Sequence, residues 1–217
     1  MRGMQKAGGI ASLIEAGTFV FGFALLVTVL APLFQGELDG VAMVRFLREY
    51  RGLYYLWNLV IYVLFGFMLI VLALALHERL RSTAGNLMAI TTALGLLWAG
   101  LVIAAGMVAN VGAAVVTELV VQEPTMAATV WVAVDTVLTG LGGGNEVVGG
   151  VWVLLLSRVA LGNGKLPKAL NYLGVVAGAA GVATLVPALT DLGALFGLGL
   201  IVWFVWVGVI LLGDRES

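Results

Sequence analysis

The chain has 217 residues, of which 62% are hydrophobic and only 11% are charged. A soluble domain could not cover so large an apolar fraction with polar surface, which places the chain in a lipid bilayer. Lysine and arginine total 11 against 12 acidic residues, so there is no basic excess for nucleic acid, and the lack of cysteine excludes disulfides and thiolate metal sites.

Several apolar segments are long enough to cross a hydrocarbon core of ~30 Å, which needs ~20 helical residues. Their continuous Leu, Val, Ala and Gly runs do not alternate in the way that the strands of a membrane barrel do. The sequence therefore predicts an all-α fold, with one integral membrane domain over residues 1–217 that forms a six-helix transmembrane bundle. The predicted spans lie at about 10–34, 52–76, 86–116, 125–161, 167–189 and 192–213.

Positively charged residues are distributed unevenly between the predicted loops. Eight lie on the side that carries both termini and three lie on the other side. By the positive-inside rule, both termini are predicted to be cytoplasmic. The eight are Arg2, Lys6, Arg79, Arg81, Arg158, Lys165, Lys168 and Arg215, and the three are Arg45, Arg48 and Arg51.

The loop after the first span has the pattern of a short amphipathic helix. We expect this helix to lie flat on the outer membrane surface, which would explain its arginines. Tyr54, Tyr55 and Trp57 follow it and are predicted to anchor the second span at the interface. The apolar side of the helix consists of Ala42, Met43, Phe46, Leu47 and Tyr50, and its polar side of Arg45, Arg48, Glu49 and Arg51.

The fourth span is longer than the bilayer needs. A straight helix over residues 125–161 would be ~55 Å long at 1.5 Å per residue. Either its outer third projects from the membrane, or the helix breaks at the glycine-rich segment. Glycine makes a break inexpensive because it accepts backbone dihedrals that other residues avoid. The glycines of that segment are Gly140, Gly142, Gly143 and Gly144.

Carboxylates inside the spans are the main candidates for function. Counted from the cytoplasmic charges, Glu146 lies ~18 Å deep and Glu15 ~13 Å deep, whereas Asp135 belongs near the outer boundary, beside Asn110. An ionisable group at the bilayer centre costs about 2.5 to 3.5 kcal/mol, so each needs a partner or a purpose. Glu146 and Glu15 facing one cavity would share a proton or a cation. The predicted ion- or solute-binding residues are Glu146, Glu15, Asn145 and Asp135.

A structural interpretation stands beside this one. A protonated Glu146 could bond to Asn145, to Thr139 or to a neighbouring helix without binding anything. Glycines in membrane helices commonly form packing surfaces, which is the interpretation for the fifth span. Those fifth-span glycines are Gly174, Gly178 and Gly181.

Other polar and aromatic residues give weaker signals. His77 follows the second span, as a solvated helix end does, and Asn58 within that span is predicted to hydrogen-bond another helix. Trp203 and Trp206 lie on one helical turn, where they could face a hydrophobic ligand or pigment. With one histidine, few serines and no cysteine, the chain lacks a set of metal ligands and a catalytic nucleophile. We therefore predict no enzymatic activity, no bound metal and no cofactor.

Four segments resemble a family of uncharacterised bacterial multi-pass integral membrane proteins, known only as a domain of unknown function. The resemblance covers nearly the whole chain and implies six helices in the bacterial cytoplasmic membrane. It implies no activity, substrate or site residue. The segments are WAGLVIAAGMVANVG (98–112), GLGGGNEVVGGVWVLL (140–155), LPKALNYLGVVAG (166–178) and FGLGLIVWFVWVGVILL (196–212).

Two functions follow from these observations. The first is transport or binding of a small solute or ion, with a proton or cation held by the buried carboxylates. The second is a structural or accessory membrane protein that binds lipid, pigment or a partner complex through its glycine-rich faces. A cavity that both glutamates face would favour the first, and enclosed, hydrogen-bonded carboxylates would favour the second. Both functions are compatible with a homo-oligomer or with a larger membrane complex.

Overall fold

The computed structural model describes residues 2–33, 38–143 and 146–213, and within these ranges the chain consists of helices joined by turns, without a strand. The predicted all-α class is therefore confirmed. The α-helices are α1 (Arg2–Leu26), α2 (Gly40–Glu49), α3 (Arg51–Asn58), α4 (Phe65–Leu119), α5 (Pro124–Leu138), α6 (Val147–Asn163), α7 (Lys168–Ala183) and α8 (Leu192–Gly213). Short 3-10 helices lie at Ala31–Leu33 and Pro187–Leu189, and π-helical turns at Leu59–Leu64 and Thr139–Gly143.

Five helical stretches within the described ranges are long and apolar enough to cross a membrane. A further apolar helix, α7, has 16 residues. These helices are those of a multi-pass membrane protein. The five stretches are Gly3–Leu26, Arg51–Ser82, Gly85–Leu119, Pro124–Asn163 and Leu192–Gly213.

Helix α4 is folded back on itself at Gly85, which divides the second predicted span from the third. Gly85 has φ 50° and ψ −131°, a conformation that is open to glycine and strained for other residues. The parts of α4 before and after Gly85, its first and second arms, pack antiparallel. They lie so close that a methyl group at Gly66 would be 3.0 Å from the carbonyl oxygen of Ala99. The side-chain amide of Asn58 donates to the side-chain oxygen of Asn110 at 3.1 Å, which confirms the predicted bond between helices.

The fourth predicted span is both broken and long. Gly142, in the turn between α5 and α6, has φ 110°, which interrupts the helix. Yet both pieces follow the second arm of α4 in order: Val134 of α5 lies against Gly112, and Gly149 of α6 lies against Trp98. The chain therefore continues in one direction past the break. The predicted break at the glycine-rich segment is confirmed.

The core is centred on a closed set of five aromatic side chains, which we call the aromatic core. Neighbouring ring centroids are 5.3 to 6.1 Å apart, with tilted or edge-to-face geometry, which is favourable for aromatic pairs. These rings connect both arms of α4 to α6 and α8. The aromatic core consists of Phe65, Trp98, Trp152, Trp203 and Phe204.

Glycines join α6 and α7 at close range. A methyl group at Gly178 would lie 2.7 Å from the carbonyl oxygen of Gly150, and one at Gly150 would lie 2.7 Å from the carbonyl oxygen of Gly178. Gly181 is equally tight against Phe196. The packing interpretation of the fifth-span glycines is confirmed, because small residues let two membrane helices approach closely.

The amphipathic helix predicted after the first span is α2. Asp39 caps its first turn by accepting a hydrogen bond of 2.7 Å from the N–H of Ala42, and Leu47 is buried, while its arginines are exposed. The interpretation of Tyr54 and Trp57 as interfacial anchors is wrong. They are only 3% and 6% exposed, because Tyr54 packs edge to face on Trp131 of α5 and Trp57 donates to the carbonyl oxygen of Gly22 in α1.

Candidate functional site

A cavity of about 210 Å³ lies inside the bundle, beside the break between α5 and α6. Four parts of the chain form its wall: α1, the segment from α3 into α4, the second arm of α4, and the break itself. Its lining residues are Thr18, Phe19, Gly22, Phe23, Leu26, Trp57, Ile61, Tyr62, Phe65, Trp98, Val102, Gly142 and Glu146.

Glu146 reaches this cavity because the helix is interrupted just before it. Gly142 turns the backbone, and Glu146 then occupies the position preceding the first residue of α6. Its backbone N–H donates to the hydroxyl oxygen of Thr184 at 3.1 Å, and its carbonyl oxygen accepts from the N–H of Gly150 at 2.8 Å. The backbone is thus held on both sides, while the partly buried carboxylate lines the cavity.

Half of the twelve other lining residues are aromatic. Several of these rings pack against each other edge to face, with interplanar angles of 77° for Phe19 and Phe65, 76° for Trp57 and Tyr62, and 68° for Phe65 and Trp98. Together they give the cavity an aromatic, largely apolar side. The six aromatic wall residues are Phe19, Phe23, Trp57, Tyr62, Phe65 and Trp98.

The cavity wall carries an acidic group and no basic one among its described residues. Among the described lining residues, Glu146 supplies a carboxylate and none is Lys, Arg or His. Two other polar groups of the wall donate to backbone carbonyls: Trp57 Nε1 to Gly22 at 3.2 Å, and the Thr18 hydroxyl to Glu15 at 2.8 Å. The carboxylate of Glu146 is therefore the principal group that could attract an ion or a charged solute.

Glu15 does not line the cavity. The nearby Ser12 donates to the carbonyl oxygen of Phe204 in α8 at 2.6 Å, whereas the Glu146 side chain lies near Gly193 at the start of that helix. Glu15 is 0% exposed, and neither carboxyl oxygen has a hydrogen-bond partner in the described part of the chain. The expectation that both carboxylates face one cavity is wrong, because Glu15 is absent from the lining of the cavity that Glu146 borders.

The remaining predicted site residues lie elsewhere. Asp135 is exposed on α5 and is absent from the cavity wall, and Asn110 bonds to Asn58 instead of lying free beside Asp135. Asn145 lies outside the described residues. Of the four predicted binding residues, the structure places Glu146 in the cavity.

His77 and the paired tryptophans also lie outside the cavity wall. His77 Nδ1 is 2.8 Å from the hydroxyl oxygen of Thr92, so it joins the two arms of α4 near their turn. Trp203 is 1% exposed within the aromatic core, and Trp206 is 37% exposed on the outside of the bundle. The two tryptophans therefore do not share one ligand-facing surface.

Sequence reasoning missed the aromatic wall. A signal was present, since Phe19 and Phe23, and likewise Trp57, Ile61 and Phe65, recur every four residues on one helix face. The same spacing is typical of ordinary core packing, so the pattern alone does not distinguish a wall from a core.

Comparison of the chain with protein-family models, with curated proteins and with solved structures finds no match. The resemblance of the four segments to an uncharacterised bacterial membrane family therefore stays a prediction, and the site has to be interpreted from its own chemistry.

Proposed function

We propose that this protein binds, and moves across the bacterial cytoplasmic membrane, a small solute or ion that it takes up in the cavity beside Glu146. The observation that carries the proposal is a carboxylate lining an internal cavity at a broken helix. Interrupted membrane helices build the central binding sites of several transporters, where irregular backbone is tolerated because it borders a cavity.

The proposal includes six spans with both termini in the cytoplasm. Helix α7 is the fifth of these spans in chain order: it is ~24 Å long and packs against both α6 and α8. Glycine contacts set α7 antiparallel to both neighbours, with Gly178 against Gly150 and Ala177 against Gly199. The distribution of Lys and Arg between the loops supports the orientation.

The accessory-protein alternative finds less support in the geometry. It required free glycine-rich faces, but Gly150, Gly178 and Gly181 are used in contacts between helices of this chain. The alternative also predicted that the carboxylates are enclosed and border no cavity, whereas Glu146 lines one. If no small solute binds, the next ligands to test are lipid, pigment and a partner complex.

A stability screen of the detergent-purified protein tests the proposal. Binding to the folded state raises apparent stability by mass action, so a screen over pH, inorganic cations and small organic solutes reports occupancy of the cavity. We expect stabilisation of the wild type that is lost in Glu146→Gln and kept in the matched variant Asp135→Asn, whose exposed carboxylate lies on the same span. Identical responses of all three proteins would contradict the proposal.

A further inference from the structure

We propose that the solute is an organic cation, an ammonium group with apolar substituents, held against the aromatic wall and paired with Glu146. This inference rests on the proposed function and specifies its ligand. It follows from the composition of the wall, the sign of the charge and the size of the cavity.

The aromatic wall is the first argument. Six of the thirteen lining residues are aromatic. The face of an aromatic ring is negative, so a cation within about 6 Å of the ring centre is attracted, and the attraction is stronger when the site is desolvated. Aromatic cages of this kind are how proteins recognise quaternary ammonium groups.

The carboxylate is the second argument. Glu146 adds a negative group to a wall whose described residues include no cationic side chain. A buried charge without a partner is costly, and a positively charged ligand compensates it. An anionic ligand would meet repulsion from both the carboxylate and the ring faces, and a neutral ligand would leave the carboxylate unpaired.

The size of the cavity and its few side-chain oxygens favour an organic cation over an inorganic one. Na⁺, Ca²⁺ and similar ions need several oxygen ligands at short distance. The side chains of the described wall offer only Thr18, Tyr62 and Glu146 as oxygen sources, and the described residues hold no cluster of three or more His, Cys, Asp or Glu. A volume of about 210 Å³ is instead that of roughly seven waters, which suits an organic cation of about seven to ten heavy atoms.

Paired ligands of equal shape provide the test. Choline and 3,3-dimethylbutan-1-ol have the same outline, but only choline is charged. Isothermal titration of the detergent-purified full chain should give a dissociation constant for choline at least about tenfold lower than for the alcohol, with tetraethylammonium also bound. This comparison uses the wild type alone and so does not depend on the folding of any variant.

Two variants with matched controls locate the site. Glu146→Gln should weaken tetraethylammonium binding more than about tenfold, and Phe23→Leu should weaken it about tenfold, because each removes one attraction for the cation. Asp135→Asn and Phe67→Leu make the same chemical changes at exposed positions outside the cavity, so they should leave the constant within about twofold.

The other outcomes separate the two proposals. Equal binding of choline and the neutral alcohol, unaffected by Glu146→Gln, would overturn the organic cation and leave binding of a small solute in place. Stabilisation by inorganic cations or by a change of pH alone, if lost in Glu146→Gln, would also overturn the organic cation and leave binding of a small solute or ion in place. No response to any member of the panel would overturn both proposals.

Discussion

Glu146 and Thr184 are joined by a hydrogen bond of 3.1 Å from the backbone N–H of the glutamate to the hydroxyl oxygen of the threonine. The same hydroxyl donates to the carbonyl oxygen of Gly181 at 2.7 Å, and Thr184 is 5% exposed. Thr184 directly follows the last residue of α7, whereas Glu146 directly precedes α6. One buried hydroxyl therefore fixes the backbone that presents the cavity carboxylate.

Thr184→Val should lower both stability and solute affinity. Valine matches threonine in shape but cannot accept from the N–H of Glu146, which loses its partner, whereas the carbonyl oxygen of Gly181 keeps the backbone N–H of Thr184 at 3.3 Å. We expect the free energy of unfolding to fall by about 1 to 3 kcal/mol, and binding to weaken as the carboxylate loses its fixed position. Unfolding in detergent and ligand titration measure the two effects.

Thr190→Val is the matched control for this change. The Thr190 hydroxyl donates only to the carbonyl oxygen of Pro187, at 3.2 Å and at an exposed position. An exposed hydrogen bond is replaced by water at little cost, so stability and affinity should stay close to those of the wild type. Equal behaviour of the two valine variants would show that Thr184 does not position Glu146.

Gly178→Ala should separate α6 from α7. The added methyl group would lie 2.7 Å from the carbonyl oxygen of Gly150, a backbone atom that cannot turn aside. Overpacking of a close helix contact costs about 1 to 3 kcal/mol, which should appear as a lower unfolding temperature. Binding at Glu146 should also weaken, because the end of α7 holds that residue through Thr184.

Gly162→Ala provides the comparison for the α6 and α7 contact. Gly162 also lies in α6, but an added methyl group would have no atom within 4 Å. Alanine restricts the unfolded chain and favours the helix, so we expect no loss and a gain of about 0.5 to 1 kcal/mol. If Gly178→Ala were equally stable, close glycine packing would not hold the two helices together.

Much of the fold follows from local signals in the sequence. Long apolar runs predicted the helices, and the alternation of apolar and charged residues predicted α2, because lipid and water impose those patterns directly. The burial of Tyr54 and Trp57 was not predictable in this way. It depends on contacts with distant parts of the chain, Trp131 of α5 for Tyr54 and Gly22 of α1 for Trp57.

The candidate site could be predicted only in part. Glu146 and the break beside it were visible, because a carboxylate and several glycines are conspicuous in an apolar run. The separation of Glu15 from the cavity was not visible. Depth along a helix can be counted from the sequence, but the direction in which a side chain points depends on how the helices are rotated against each other.

Gly85→Ala should destabilise the turn between the two arms of α4. No atom lies within 4 Å of an added methyl group, so the effect would come from the backbone alone, at φ 50° and ψ −131°. Such a conformation costs a residue other than glycine about 1 to 3 kcal/mol. Gly100→Ala, at another open position in α4 with helical dihedrals, should not lower stability. Equal unfolding temperatures for the two variants would contradict the interpretation of Gly85 as a required glycine.

Glu15→Met should raise stability and leave solute binding unchanged. The carboxyl group is enclosed, and neither oxygen has a partner among the described residues, so replacing it by an apolar side chain of similar length removes an uncompensated cost of about 1 to 3 kcal/mol. Affinity should be unaffected, because Glu15 does not line the cavity. Glu118→Met, at an exposed carboxylate of α4, should bring no comparable gain. Thermal unfolding and titration with tetraethylammonium measure both quantities. A loss of stability or of binding in Glu15→Met would instead make this carboxyl group a working part of the site.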